Sequence, residues 1–280
     1  MLLSEFIRRG TSELENLYPS PEARGMVLIL CESRLGVKSY THIIEPSYEI
    51  PSGIQPLLDD DMSRLRDGEP VQYVLGFAEF CGRRFNLCPD VLIPRPETEL
   101  LVQEAEKAMG EGAAEVLDLC TGSGCIAWSV LLDRPGSRVV AVDVSEAALN
   151  VAKGQFSGES PVFVQTDILD TGQEFDYGMF DVLVSNPPYV MDSEKSRMRC
   201  NVLDFEPGIA LFVPDDDPLV FYRAIAGWGR RFLKEGGTGL VEINERLGRE
   251  TAGVFASAGY EDLEIIPDLY GKARIVRFRK

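Results

Sequence analysis

The chain has 280 residues, 45% apolar and 26% charged, which is ordinary for a globular protein and long enough to bury a sizeable core. Its net charge of −17 speaks against a nucleic-acid surface spread over the whole molecule, because neutralising phosphates requires Lys and Arg. Six cysteines with no Cys-x-x-Cys pair, and a single histidine, His42, argue against a zinc site and against Ser-His-Asp or Cys-His catalysis.

No apolar run approaches a membrane span, and the start, Met1-Leu2-Leu3-Ser4-Glu5-Phe6, lacks the pattern of a secretory signal. The expected location is the cytoplasm, with free thiols as the default there, even for Cys81 and Cys88. Local basic groups at Arg230, Arg231 and Lys234, and along 272–280, read as solvated faces. An acidic body is compatible with a basic protein partner.

Residues 1–66 read as helical. Apolar residues recur at three- and four-residue spacings over 4–9, 21–35 and 54–65, with Pro21 at a helix start and Gly36 at its end. A compact helical domain over 1–68 is expected to serve recognition, since no catalytic constellation lies in it. Gly68-Glu69-Pro70 reads as a break. Residues 72–76 and 78–87 read as short strands with a glycine turn, a hairpin linker over 69–95. Pro94 and Pro96 then stiffen the loop that carries Arg95, Glu97 and Thr98, before a helix that ends near Gly110.

From Glu115 the pattern alternates. Strands are expected at 116–119, 138–142, 162–165, 180–185 and 239–243, and helices at 125–132, 145–156, 218–234 and 246–257. Such alternation implies a parallel sheet covered on both faces. The last strands, 262–266 and 273–279, have no helix between them and are expected to pair antiparallel. Residues 96–280 thus form the second domain.

Two stretches carry chemistry. The strand 180–185 stops at Asn186-Pro187-Pro188-Tyr189. Consecutive prolines donate no N–H and hold the preceding residue extended, so Asn186 sits in a stiff turn at a strand's carboxyl end, where open α/β sheets bind ligands. The Asn186 amide oxygen and the Pro187 carbonyl can converge on the NH2 of a flat conjugated nitrogen, and Tyr189 can stack on the flat group. The second stretch is Asp118-Leu119-Cys120-Thr121-Gly122-Ser123-Gly124, between a strand and a helix, a glycine turn that lets backbone N–H groups approach a ligand.

Asp143 ends the next strand, nineteen residues past Gly124, where an acidic side chain grips a ribose diol, and Asp167 ends the third. Gly122-Ser-Gly124-Cys-Ile-Ala127 also fits the dinucleotide pattern, so a nicotinamide-dependent oxidoreductase is one reading. Asp118 ahead of the turn opposes a pyrophosphate and suits a cation, and the Asn-Pro-Pro-Tyr turn has no part in hydride transfer. S-adenosylmethionine offers a cationic sulfonium and ammonium, a ribose diol and an adenine, for Asp118, Asp143 and Asp167 in that order. Methylation of adenine N6 in DNA or RNA is the other reading of Asn-Pro-Pro-Tyr; the acidic body and the missing basic recognition domain count against it.

Across nearly its whole length the chain resembles the release-factor glutamine N5-methyltransferases, the HemK/PrmC family. The resemblance is carried by Pro70-Val71-Gln72-Tyr73, by Val-Leu-Ile-Pro-Arg-Pro-Glu-Thr-Glu from Val91 to Glu99, and by the turn from Leu117 to Gly124. It continues in Ala141-Val142-Asp143-Val144-Ser145, Ser185-Asn186-Pro187-Pro188-Tyr189, Glu206-Pro207, Glu242-Ile243 and Asp268-Leu269-Tyr270-Gly271-Lys272-Ala273-Arg274.

The resemblance implies a Rossmann-like class I methyltransferase domain with a seven-stranded, mostly parallel sheet, and an N-terminal helical domain that recognises a release factor. The methyl acceptor would be the glutamine of a Gly-Gly-Gln loop. Cofactor contacts carried over fall on Thr121, Gly122, Ser123, Gly124, Asp143, Asp167, Ile168 and Asn186, beside Asp118 and Cys120 of the same turn. The substrate amide would meet Asn186, Pro187, Pro188 and Tyr189, with Asn186 and Pro187 as the catalytic pair. S-adenosyl-L-homocysteine would be the product; no metal, nucleic acid or membrane is implied, and a monomer is expected. Two departures stand out. Cys120 replaces a glycine and is tolerable only at negative φ with no cofactor hard against it. Residues 212–218 replace a glycine-rich segment.

Overall fold

The structure is a computed structural model that describes residues 1–172 and 174–280. The chain divides into two compact units, Met1–Phe77 with Arg199–Phe205, and Ala78–Met198 with Glu206–Lys280.

The first unit is helical. Helices Leu3–Leu14, Ser20–Leu35 and Gln55–Arg66 bury Phe6, Leu14, Val27, Leu30, Leu58 and Leu65 in one core. Pro21 lies in the first turn of its helix, and Gly36 ends that helix at φ 68. The stretch after it holds a four-residue helix, Thr41–Ile44.

One element departs from the sequence reading. Residues Val71–Leu75 are a helix, not a strand, opened by Pro70 and closed by Gly76 at φ 83. Tertiary partners explain the change. Arg34 and Arg64 donate to the Val74 carbonyl at 3.0 and 3.2 Å, and Arg64 to that of Tyr73 at 3.2 Å. Carbonyls left over at the end of this single turn are thereby satisfied by side chains distant in sequence. The hairpin lies wholly within the following residues, Phe77–Phe80 with Arg83–Asn86.

The second unit is built on a seven-stranded sheet: β1 Glu115–Leu119, β2 Arg138–Asp143, β3 Val162–Gln165, β4 Phe180–Ser185, β5 Leu233–Glu242, β6 Glu261–Pro267 and β7 Ala273–Arg279. Its spatial order is β3-β2-β1-β4-β5-β7-β6. The strands from β1 to β5 pair in parallel, while β7 runs antiparallel to both β5 and β6, so the sheet is mixed.

Alternation along the strands supplies a core on each face. Leu117, Leu119, Val140, Val142, Leu183 and Val241 meet Tyr222, Ile225, Trp228 and Phe255 on one side. Val116, Val139, Ala141, Val182 and Val184 meet Leu101, Val102, Ile126 and Trp128 on the other. Ser145 caps the helix Glu146–Lys153, its Oγ accepting from the Ala148 N–H at 3.1 Å; this helix stops at Gly154, short of the predicted 156. Strand β5 begins directly after the helix Val220–Phe232, earlier than the pattern implied.

Chain order along the sheet reverses between β1 and β4. This switch point leaves a crevice outside the strands' carboxyl ends, where Leu119, Asp143 and Ser185 stand. The stretch after the prolines adds a small parallel pair unseen in the sequence, Val190–Met191 with Phe212–Val213.

Candidate active site

A cleft opens at that switch point, within the second unit. Its walls come from the turn after β1, the end of β2, residues 166–169, the proline turn after β4, the stiff loop around Pro94, and residues 207–210. Arg95 is the one cation among the lining residues, and its Nη2 donates to the buried Glu206 at 2.6 Å. Asp90, Asp143 and Asp167 line the same space, so the cleft suits a cationic ligand better than a pyrophosphate.

The turn after β1 is left-handed at three positions, Cys120 (φ 62), Gly122 (φ 54) and Gly124 (φ 78). The Cys120 value overturns the condition of negative φ. Its side chain is held in a region that disfavours a Cβ, while lining the cleft and packing on the core under the sheet. A Cβ added at Gly122 would meet nothing within 4 Å, which leaves the backbone open to a ligand. Gly124 serves packing instead: a Cβ there would lie 3.0 Å from Ala152 and 3.1 Å from Trp128.

Asp118 does not line the cleft. It is wholly buried, with Oδ2 accepting from the Thr121 hydroxyl at 2.6 Å and Oδ1 without a partner among the described residues. Burial pushes its carboxyl up to about 7, against the pull of the Thr121 hydrogen bond. Asp143 is partly exposed. Its Oδ2 accepts from the Gly122 N–H at 2.8 Å and its Oδ1 from the Ser145 N–H at 2.9 Å. Burial raises its pKa, and these backbone donors lower it. Asp167 accepts from the Leu169 N–H at 2.9 Å, and the carbonyl of buried Ile168 accepts from the Trp228 indole at 3.0 Å.

Across the cleft, Asn186 is tied down at one end. Its Nδ2 donates to Thr98 Oγ1 at 3.2 Å, and the Thr98 hydroxyl donates to Glu242 Oε2 at 2.7 Å. Asn186 Oδ1 has no hydrogen-bond partner among the described residues. Tyr189 turns its hydroxyl to Glu242 Oε1 at 2.9 Å rather than into the cleft.

The structure thus gathers Cys120, Thr121, Gly122, Ser123, Asp143, Asp167, Ile168, Asn186 and Pro188 around one space. Asp118, Gly124, Pro187 and Tyr189 stand behind its walls. In the sequence Thr98 has a place on the stiff loop and Glu242 a place in a motif, but neither is assigned a role in the site. Thr98 lies 88 residues from Asn186 and 144 from Glu242, so the chain of hydrogen bonds through it has no local signature.

Comparison with known proteins agrees with this architecture. Residues 5–76 match the PrmC N-terminal domain family, and residues 96–203 match the methyltransferase small domain family. The chain is 39% identical over 275 residues to a release factor glutamine methyltransferase of Bacteroides thetaiotaomicron, covering 98% of both chains. It is 35% identical over 287 residues to one of Flavobacterium psychrophilum, covering 99% of both. A methyltransferase structure from Pyrococcus furiosus, 17% identical, superposes with a TM-score of 0.51 over 79% of this chain and 98% of that one, a likeness of fold. A helical N-terminal region, a class I methyltransferase sheet and 39% and 35% identity to these enzymes over nearly the whole chain place it in the release factor glutamine methyltransferase (HemK/PrmC) family.

Proposed function

We propose that the protein transfers a methyl group from S-adenosylmethionine to the side-chain amide nitrogen of the glutamine in the Gly-Gly-Gln loop of a class I peptide chain release factor. The observation that carries this reading is the fixed amide of Asn186. Its NH2 end is taken by Thr98, so its oxygen is left for a donor in the cleft. An acceptor carboxamide brings such a donor.

The residues present fit the cofactor. An acidic cleft, an open backbone at Gly122, and a carboxylate at Asp143 at the end of β2 match a cationic nucleoside. Thr121, Gly122 and Ser123 would border its amino-acid end, with Asp118 behind them holding Thr121. Asp143 would take the ribose diol, and Asp167 and Ile168 the adenine. Bound there, it supplies an electrophilic methyl group.

The chain's own contribution is positioning. An amide nitrogen is a poor nucleophile, because its lone pair is delocalised into the carbonyl. Asn186 holds an N–H of the acceptor amide, so the lone pair is aimed at the methyl donor. The methylated nitrogen is acidic and loses its proton without a strong base, in keeping with a site that has no histidine.

The test is incubation with labelled S-adenosylmethionine and purified release factor, followed by peptide mass analysis. Label on the glutamine of the Gly-Gly-Gln loop is the expected outcome. A release factor left unlabelled, or labelled at another residue, overturns the proposal.

A further inference from the structure

We infer that Thr98 and Glu242 are positioning residues, which set the direction of a hydrogen-bond chain and thereby decide which end of the Asn186 amide faces the acceptor. The inference rests on the amide-holding role of Asn186 proposed above and names what enforces it.

Glu242 is the fixed end of the chain. It is 1% exposed at the last position of β5, and its two oxygens accept from Thr98 and Tyr189 at 2.7 and 2.9 Å. The Glu242 backbone carbonyl accepts from the Tyr222 hydroxyl at 3.1 Å, which pins the strand end as well. A carboxylate has no proton to give, so both hydroxyls point their hydrogens at it. Burial pushes the Glu242 carboxyl up, while the two hydroxyls and the nearby Arg274 charge favour its ionised form.

The direction then propagates. Thr98 is 2% exposed, and with its only hydrogen committed to Glu242 it turns a lone pair toward Asn186. Only the NH2 end of the Asn186 amide satisfies that lone pair, and it lies 3.2 Å away. Turning the amide over would set oxygen against oxygen in a buried place. The proline turn fixes the backbone of Asn186 but leaves its last torsion free, so the flip state is the remaining degree of freedom. Thr98 stands buried at the end of the short 3-10 turn Pro96–Thr98, on the loop that Pro94 and Pro96 stiffen.

The test is a double-mutant cycle on the full-length enzyme, with Thr98→Val and Asn186→Ala, alone and combined, in single-turnover methylation of a release factor. Cofactor affinity is read by calorimetry and folding by thermal unfolding. Thr98→Val keeps the shape and removes the hydroxyl. It is expected to lower the methylation rate roughly 10- to 100-fold with cofactor affinity within about twofold, because misorientation acts on the transition state. Thr98→Ser restores the hydroxyl and is expected to recover most of the rate. In the Asn186→Ala background, Thr98→Val should add less than about twofold, since residues acting through one another are not additive. Glu242→Gln, which can offer either a donor or an acceptor to Thr98, is expected to fall between wild type and Thr98→Val. A wild-type rate for Thr98→Val, or an equal loss with and without Asn186, overturns the inference and leaves the amide-holding reading intact. An unchanged rate for Asn186→Ala alone overturns that reading itself.

Discussion

The carboxylate of Asp143 accepts a hydrogen bond from the backbone N–H of Gly122, 21 residues earlier, at 2.8 Å. Its other oxygen takes the Ser145 N–H at 2.9 Å. One side chain thus ties the glycine turn after β1 to the end of β2, and it does so at the rim of the cleft. Asp143→Ala is therefore expected to act twice. Cofactor binding should weaken by about 1.5–3 kcal/mol, the worth of a hydrogen bond to a charged group, and the melting temperature should fall as two backbone donors lose their partner. Calorimetry giving an unchanged dissociation constant would remove Asp143 from the ribose.

Asn186→Ala separates holding the acceptor from holding the cofactor. Turnover should fall by about a hundredfold, in line with loss of one preorganised polar group, while the cofactor dissociation constant changes little. Parallel losses in both quantities would contradict the role assigned to the amide.

Cys120 tests the strain in the turn. At φ 62 a side chain costs roughly 1–2 kcal/mol, which the packing of its sulfur against the core under the sheet must offset. Cys120→Gly relieves the strain and loses the packing, so chemical denaturation should place it within about 1 kcal/mol of wild type. Cys120→Val adds a second branch at the same φ and should lose about 2 kcal/mol or more. Equal stability for the two variants would mean that the turn relaxes freely.

Asp118 makes stability depend on pH. Its carboxyl titrates near 4 in the unfolded chain and is pushed up to about 7 by burial in the folded one. Between those values the folded state binds the extra proton, so stability declines as pH rises. Below about pH 4 both states are protonated and this penalty is absent; above about pH 7 it is fully present. In Asp118→Asn the Thr121 hydroxyl still finds an acceptor, and this part of the slope should vanish. Denaturation curves for the two proteins that run parallel across this range would refute the titration of Asp118.

Much of this architecture follows from local rules. The largely apolar stretches Val116 to Leu119 and Val139 to Val142, each followed by a helical period, are enough to imply a parallel sheet with two covered faces. Asn186-Pro187-Pro188-Tyr189 announces a rigid turn because proline acts on its immediate neighbours, and Gly122 announces an open one because it lacks a Cβ. What tertiary structure alone decided are the partnerships between distant groups. Residues 71–75 became a helix because Arg34 and Arg64 reached its carbonyls. Tyr189 turned from the cleft because Glu242 was there to receive its hydroxyl. The Asn186 amide took one orientation because Thr98, 88 residues away, had its proton engaged elsewhere. A hydrogen bond depends on where two groups arrive in space, and spacing along the chain carries no record of that arrival.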